Sequence, residues 1–273
     1  MTTEEVNGNP YLRAAAGMLP GRRRPRTLPD RAVVSHSQTI DRDHLAAYSR
    51  ICEFRLSDTL PATYPHVLAF PLAMHLMSAA DFPFPIVGMV HIANRITLHR
   101  PITAGEKLDL TVRAADLRDH ERGRQLDIVA TATVDGERVW DGLSTYLKIE
   151  RERERRDQRD QTPAPATAIW RVPADVGPRY AAVSGDRNPI HTSRIGARLF
   201  GFPQRIAHGM WSAARCMAAL EGRLPDRYTM DVTFKAPVLL PSRVEFTAAE
   251  AKGGWEFGLR SRKPHLAGQV TPP

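Results

Sequence analysis

Residues Tyr180 to Met210 read Y-A-A-V-S-G-D-R-N-P-I-H-T-S-R-I-G-A-R-L-F-G-F-P-Q-R-I-A-H-G-M, and this stretch decides how the rest of the chain is understood. Ser184-Gly185-Asp186 is turn chemistry, and Asn188-Pro189 forces a second bend, because proline drives the residue before it out of the helical region. Asp186 and His191 therefore stand at the two ends of a short polar loop, where their side chains can converge. A small-residue-rich apolar segment follows, opened by Ala207-His208-Gly209. A carboxylate and an imidazole facing a helix N-terminus make an acid/base pair with an oxyanion site attached. Taken singly, such residues are more often a helix cap and a surface imidazole. Taken with their neighbours, they point to chemistry.

Tyr180, Val183, Ser184, Gly185, Asp186, Asn188, Pro189, Ile190, His191 and Ala197 fall on one pattern: an aromatic, a short spacer, S-G-D-x-N-P-[aliphatic]-H, five residues, then a small residue. On these positions the chain resembles the MaoC-like, or (R)-specific enoyl-thioester hydratase, family. Gly201-Phe202 and Ile206-Ala207-His208-Gly209-Met210 look like that family's continuation, and a looser likeness runs from about Thr167 to Val270. The resemblance implies a hot-dog fold and reversible syn hydration of a trans-2-enoyl thioester to the (3R)-3-hydroxyacyl thioester. It makes Asp186 and His191 the catalytic pair, holding one water between them and sharing the acid and base roles. The Gly209 N–H, at the start of the buried helix, would meet the charge that develops on the thioester oxygen.

Asn188 is expected to orient the Asp186 loop. Ser212, one turn into the helix, either bonds into the site or is a small residue chosen for packing. His208 is expected to bond to the backbone near the helix start, and Tyr180 to pack in the core. Arg194, Arg198 and Arg205 read as a solvated charged face before they read as phosphate contacts.

A chain of 273 residues is one large domain or two ordinary ones, and 42% apolar with 25% charged residues is a soluble globular composition. No apolar run reaches the length of a membrane span. Ala14-Ala15-Ala16 precedes Arg22-Arg23-Arg24, the reverse of the order in an export signal, and Cys52 and Cys216 give no disulfide framework, so the cytoplasm is expected. The net charge of +8 comes from arginines spread along the chain with no nucleic-acid motif. It suits the phosphates of coenzyme A or an acidic acyl carrier protein equally well. No metal-ligand spacing, P-loop or G-x-G-x-x-G occurs, so neither a metal nor a cofactor beyond the thioester's own carrier is expected.

The run from Glu150 to Gln161 has no apolar residue, and Thr162-Pro163-Ala164-Pro165 follows it. Residues 150–166 thus read as a linker between a first half, 1–149 with its folded part starting near 30, and a second, 167–273. The halves read as copies of one unit. With a constant shift, Ile96–Ile102 overlays Val232–Val238, Met74 falls on Met210, Ala73 on Gly209 and Ser78 on Ala214. Leu72 takes the place of His208, and the first half has no S-G-D-x-N-P-x-H, so it is expected to be a degenerate, non-catalytic copy.

Ile206 to Leu220 reads as a buried helix, and Tyr228–Phe234, Arg243–Phe246 and Trp255–Arg260 alternate as strands. Leu108–Val112, Leu126–Val134 and Val139–Leu147 do the same in the first half, whose helix is placed at Pro71 to Ala80. The fold expected is α+β, a double hot dog: two antiparallel sheets, each wrapped on one helix, joined as in a hot-dog dimer. Phe70, Phe82, Pro83, Phe84 and Pro85 are expected to wall a channel in the vacated half for acyl chains longer than four carbons. Whole-chain likeness to two-hot-dog 3-hydroxyacyl-thioester dehydratases of actinobacterial lipid metabolism tilts the expected role towards synthesis. The alternatives are a hot-dog acyl-thioesterase, which would lack this loop, and a non-catalytic subunit of a heteromeric dehydratase. A homodimer is compatible with all of them.

Overall fold

The computed structural model describes residues 2–5, 24–151, 165–251 and 253–273. Ala14–Ala16, Arg22-Arg23 and residues 152–164 of the expected linker lie outside the described residues. The first half runs β1 (Thr2–Glu5), β2 (Arg31–Gln38), α1 (Arg42–Cys52), α2 (Tyr64–Ser78), β3 (Met89–Leu98), β4 (Leu108–His120), β5 (Gly123–Val134) and β6 (Glu137–Ile149). The second runs β7 (Ala168–Val172), α3 (Val176–Ser184), α4 (Pro189–Thr192), α5 (Arg194–Leu199), α6 (Gly209–Ala219), β8 (Tyr228–Phe234), β9 (Ser242–Ala251), β10 (Gly254–Arg260) and β11 (Pro264–Thr271).

The strands form one eleven-stranded sheet in the order β1-β2-β4-β5-β6-β3-β8-β11-β10-β9-β7. Read outward from the β3–β8 seam, the two sides are β3-β6-β5-β4-β2 and β8-β11-β10-β9-β7, so each strand has a counterpart equally far from the seam. This is the double hot dog. Only β1, parallel to the outer edge of β2, lies outside that symmetry among the described strands. At the seam the strands are antiparallel, from Ala93 opposite Thr233 to Leu98 opposite Tyr228. Arg95 donates to Asp231 at 2.6 Å, and the hydroxyls of Thr97 and Thr229 lie 3.0 Å apart. Along β8, Tyr228, Met230 and Val232 are buried while their neighbours are not, the period-two pattern of a sheet with one face covered.

What covers it is helix. α2 packs across β2, β4 and β5 and buries ten of its residues, among them Tyr64, Val67, Leu72 and Leu76. α6 buries Met210, Trp211, Ala213, Ala214, Cys216 and Met217 and lies against β10, where its alanines let the strands come close. No helix among the described residues is long and apolar enough to cross a membrane. Cys52 and Cys216 are free and buried.

Two expectations need correction. The first-half helix begins at Tyr64, not Pro71, and Pro71 lies inside it. Pro65 occupies the first turn, where its missing N–H removes no bond, and burial on nearly every face outweighs the bond lost at Pro71. The gapless overlay therefore fails at the helices: Ser78 is the last residue of α2, whereas Ala214 sits in the middle of α6. Second, Phe82, Pro83 and Phe84 are buried in the core and wall no channel. Arg24 donates to the carbonyls of Phe82 and Phe84, and the Arg124 guanidinium lies 4.6 Å from the Phe84 ring centre. Phe70 alone of that trio of phenylalanines keeps some exposure.

Candidate active site

The catalytic-looking loop is built by the way α3 stops. Gly185 caps α3 in the left-handed region at φ 73°, its N–H bonded to the Ala181 carbonyl, and this turns Asp186 out of the helix. The Asp186 N–H is bonded to the Ser184 hydroxyl at 3.2 Å. Asn188 then holds the loop from both sides. Its N–H donates to Asp186 Oδ1 at 3.2 Å, and its side-chain oxygen caps α4 by accepting from the Ile190 N–H at 3.3 Å. Asn188 thus bonds to the Asp186 loop from both sides, and Oδ2 of the carboxylate lies 3.9 Å from His208 Nε2.

His191 is buried, and its Nδ1 lies 2.8 Å from the Ile206 carbonyl. A carbonyl only accepts, so Nδ1 carries the proton and Nε2 presents a lone pair. Burial lowers the pKa of His191, against the opposing pull of Asp186 and the Ile206 carbonyl, so the ring is neutral near pH 7. α3 comes close to the backbone of His191 because Gly177 has no side chain; a Cβ there would stand 2.1 Å from the His191 carbonyl oxygen. Nothing in the sequence marks Gly177 out, because the close approach is between two elements that only the fold brings together.

His208 was expected to bond to nearby backbone. Its Nε2 does donate to a carbonyl, but to that of Asp186, at 3.0 Å. Its ring stacks on His191 with centres 3.7 Å apart and planes inclined by 26°. Burial, and then His191, push its pKa down to about 3. Asp186, His191 and His208 bring ligand-type atoms within 4.8 Å of one another. Stacked rings send their in-plane lone pairs side by side and not to one point, which suits a water and a proton better than a chelated ion.

Gly209 opens α6 directly after His208, and no side chain caps that helix end. Its backbone meets the Phe234 ring tightly, since a Cβ on Gly209 would lie 3.0 Å from Phe234 Cε1. Ser212 is buried and its hydroxyl donates back to the His208 carbonyl at 3.3 Å, so it braces the helix start and does not reach the loop. Tyr180 packs in the core beside Tyr48, and Arg194 and Arg198 are exposed.

The first half also contributes, which the motif could not reveal. In α1, His44 Nε2 donates to the Val183 carbonyl at 2.8 Å, just before Ser184, and the Tyr64 hydroxyl donates to His44 Nδ1 at 2.8 Å. From α2, β3 and β6 come His66, His91 and Tyr146, all near enough to Asp186 for its charge to act on them.

Residues 148–257 match the family described as MaoC like domain, and residues 23–141 match a FAS1-like dehydratase domain region. The chain is 41% identical to 3-hydroxyacyl-thioester dehydratase X of Mycobacterium tuberculosis over 268 residues, 95% of each chain. A crystal structure of that protein superposes with a TM-score of 0.80 at 39% identity, covering 89% of this chain and all of the other. Over 72 residues, 25% of this chain and 50% of its relative, it is 40% identical to an (R)-specific enoyl-CoA hydratase of Rhodospirillum rubrum.

Proposed function

The chain belongs to the MaoC-like dehydratase family, and from that premise we propose that its Asp186–His191 loop performs the family's reaction. It is a hydro-lyase of fatty-acid metabolism that interconverts trans-2-enoyl and (3R)-3-hydroxyacyl thioesters. One observation carries the assignment of residues. Asp186 and His191 offer a carboxylate oxygen and a ring nitrogen within 4.8 Å, a gap that one water bridges with two hydrogen bonds of roughly 2.8 Å.

In hydration, that water attacks C3 as it gives up a proton to the pair, and a proton is delivered to C2 on the same face. His191 Nε2, with Nδ1 fixed on Ile206, is the basic nitrogen, and Asp186 Oδ2 is the second hold on the water. Dehydration runs the same steps backwards. Charge grows on the thioester oxygen as an enolate, and the Gly209 N–H at the head of α6 meets it; a donor so placed contributes on the order of 3 kcal/mol. His208 acts as a positioning residue by holding the Asp186 backbone, and Ser212 by holding the His208 carbonyl.

We place the chemistry in residues 167–273, with 1–149 as a non-catalytic half and 150–166 as the connection. The acyl group arrives as a thioester of coenzyme A or of acyl carrier protein. Two free buried cysteines suit a reducing cytoplasm. Light scattering on the purified chain distinguishes one copy from a homodimer.

Mixing the pure protein with crotonyl-CoA tests the reading. Loss of enoyl absorbance with the thioester intact is the expected result. Release of free thiol would mark a thioesterase instead, and no change at all a non-catalytic subunit.

A further inference from the structure

The first half was expected to offer the substrate a wall of phenylalanine and proline. The first-half side chains within reach of the Asp186 charge are polar. Phe234, whose ring abuts Gly209, meets His91 edge-on with ring centres 5.1 Å apart. His91 stacks on Tyr146 at 4.7 Å, and His66 stands 6.2 Å beyond His91, with Phe70 next to it at 6.5 Å. A continuous aromatic path thus runs from the oxyanion position into the first half.

Each of these residues keeps partial exposure. Yet burial is the leading cause that pushes His66 down to about 4 and His91 down to about 3, and it raises the Tyr146 phenol. Side chains that are both deep and partly accessible line an enclosed space. A thioester's carrier is too large for such a space and must leave through the open end, so the deep end receives the acyl chain.

Polar groups in an acyl pocket are expensive unless something bonds to them. The Ala93 backbone opposes the fall of the His91 pKa, while the ring's Nε2 is buried with no hydrogen-bond partner among the described residues. The adjacent Tyr146 hydroxyl can donate or accept. Both imidazoles are neutral at pH 7, so the pocket favours an uncharged guest. A hydroxyl is the simplest group that donates to an imidazole nitrogen and accepts from a phenol at once.

We propose that His91 and Tyr146, with His66 behind them, form a subsite for a hydroxyl on the acyl chain beyond C3, so that this enzyme prefers hydroxylated acyl thioesters over plain ones. The proposal rests on the catalytic reading above.

The test compares kcat/KM for matched pairs of plain and ω-hydroxylated trans-2-enoyl-CoA of six, eight and ten carbons, with crotonyl-CoA as control. At one length or more, the hydroxylated member should exceed its plain partner by roughly tenfold, the worth of one buried hydrogen bond. His91→Phe should reduce that advantage to within about twofold while crotonyl-CoA is still hydrated, and Tyr146→Phe should reduce it in part. Near-UV circular dichroism checks that both variants are folded. Plain chains used as well as hydroxylated ones at every length would overturn the subsite, as would an advantage that survives in both variants. Failure to hydrate crotonyl-CoA at all would instead overturn the catalytic reading, so the two failures are distinct.

Discussion

The two halves share a strand order and a helix, and they part company at one turn. In the first half Tyr48 is followed five residues later by Glu53, which caps α1 in the left-handed region at φ 62°. In the second half Tyr180 is followed at the same spacing by Gly185, which caps α3 at φ 73°. The next residue is Phe54 in one case and the loop carboxylate Asp186 in the other. Counting on, Thr59 stands where His191 stands, and Thr59 bridges to Thr103. Phe54 stacks on Tyr48 at 6.3 Å, whereas Tyr180 has His208 against it at 4.9 Å. The same backbone device serves packing on one side and presents a carboxylate and an imidazole on the other. On the proposed function, a duplicated fold loses a site through a few side chains while keeping the turn that carried it.

The largest effect should come from removing the difference. Asp186→Asn keeps shape but loses the charge, and His191→Ala removes the basic nitrogen that takes the proton from the water. Each should lower kcat by roughly 100-fold or more with KM within a few-fold, and the double variant should be little worse than the worse single one. Phe54→Ala and Thr59→Ala should leave kcat within about threefold if the first half takes no part in proton transfer. Near-native turnover in folded Asp186→Asn would falsify the placement of chemistry in the second half.

The pH profile sharpens the same contrast. Hydration needs neutral His191, whose pKa is lowered by burial. The acid limb of kcat/KM should therefore have its midpoint below the ordinary histidine value of about 6.5. A midpoint above that value would mean that another group sets the limb.

Stability should not respect the boundary between halves. His208 in the second half, and His66 and His91 in the first, are held neutral, with values of about 3, about 4 and about 3. A histidine whose folded value is depressed binds its proton more readily when unfolded. Stability is thus complete above about pH 6.5 and is lost as pH falls towards 3. For the fully enclosed His208 the loss between pH 6.5 and 5 is of the order of 2 kcal/mol, readable as a falling urea midpoint. His91→Phe should flatten that fall. An unchanged slope would show that the first half's imidazoles do not share in it.

The smallest effect concerns how the halves hold each other. Trp211 in α6 donates its indole N–H to the Ile51 carbonyl in α1 at 2.9 Å, and Arg215 pairs with Glu53 at 2.6 Å. Trp211→Phe keeps the ring's apolar bulk and strands a buried carbonyl, so it should cost about 1–2 kcal/mol with kcat nearly unchanged. Arg215→Ala should cost less on the side of the ion pair, because Glu53 is exposed.

Chemistry and strands were legible in the chain because both depend on neighbours in sequence. S-G-D-R-N-P-I-H fixes its own turns, and Tyr228–Phe234 announces a strand by alternation alone; β8 has those same ends. Pro71 misled because a proline's local cost is visible in sequence, while the burial that offsets it is not. Phe82 misled for a related reason: the face a phenylalanine turns inward is chosen by elements elsewhere in the chain.

By itself, then, the sequence determined the turns of the Asp186–His191 loop, the family, the repeated unit and most strand positions, all set by short-range backbone preferences and side-chain period. Only the tertiary structure decided that His44 grips the loop from the other half, that His208 stacks on His191, and that His66, His91 and Tyr146 come within reach of the Asp186 charge. The His208–His191 stack lies within the second half, and the others join the two halves, whose strands β3 and β8 pair residues more than a hundred positions apart. Pairing at such separation is set by the packing of whole sheets and helices, which no local pattern encodes.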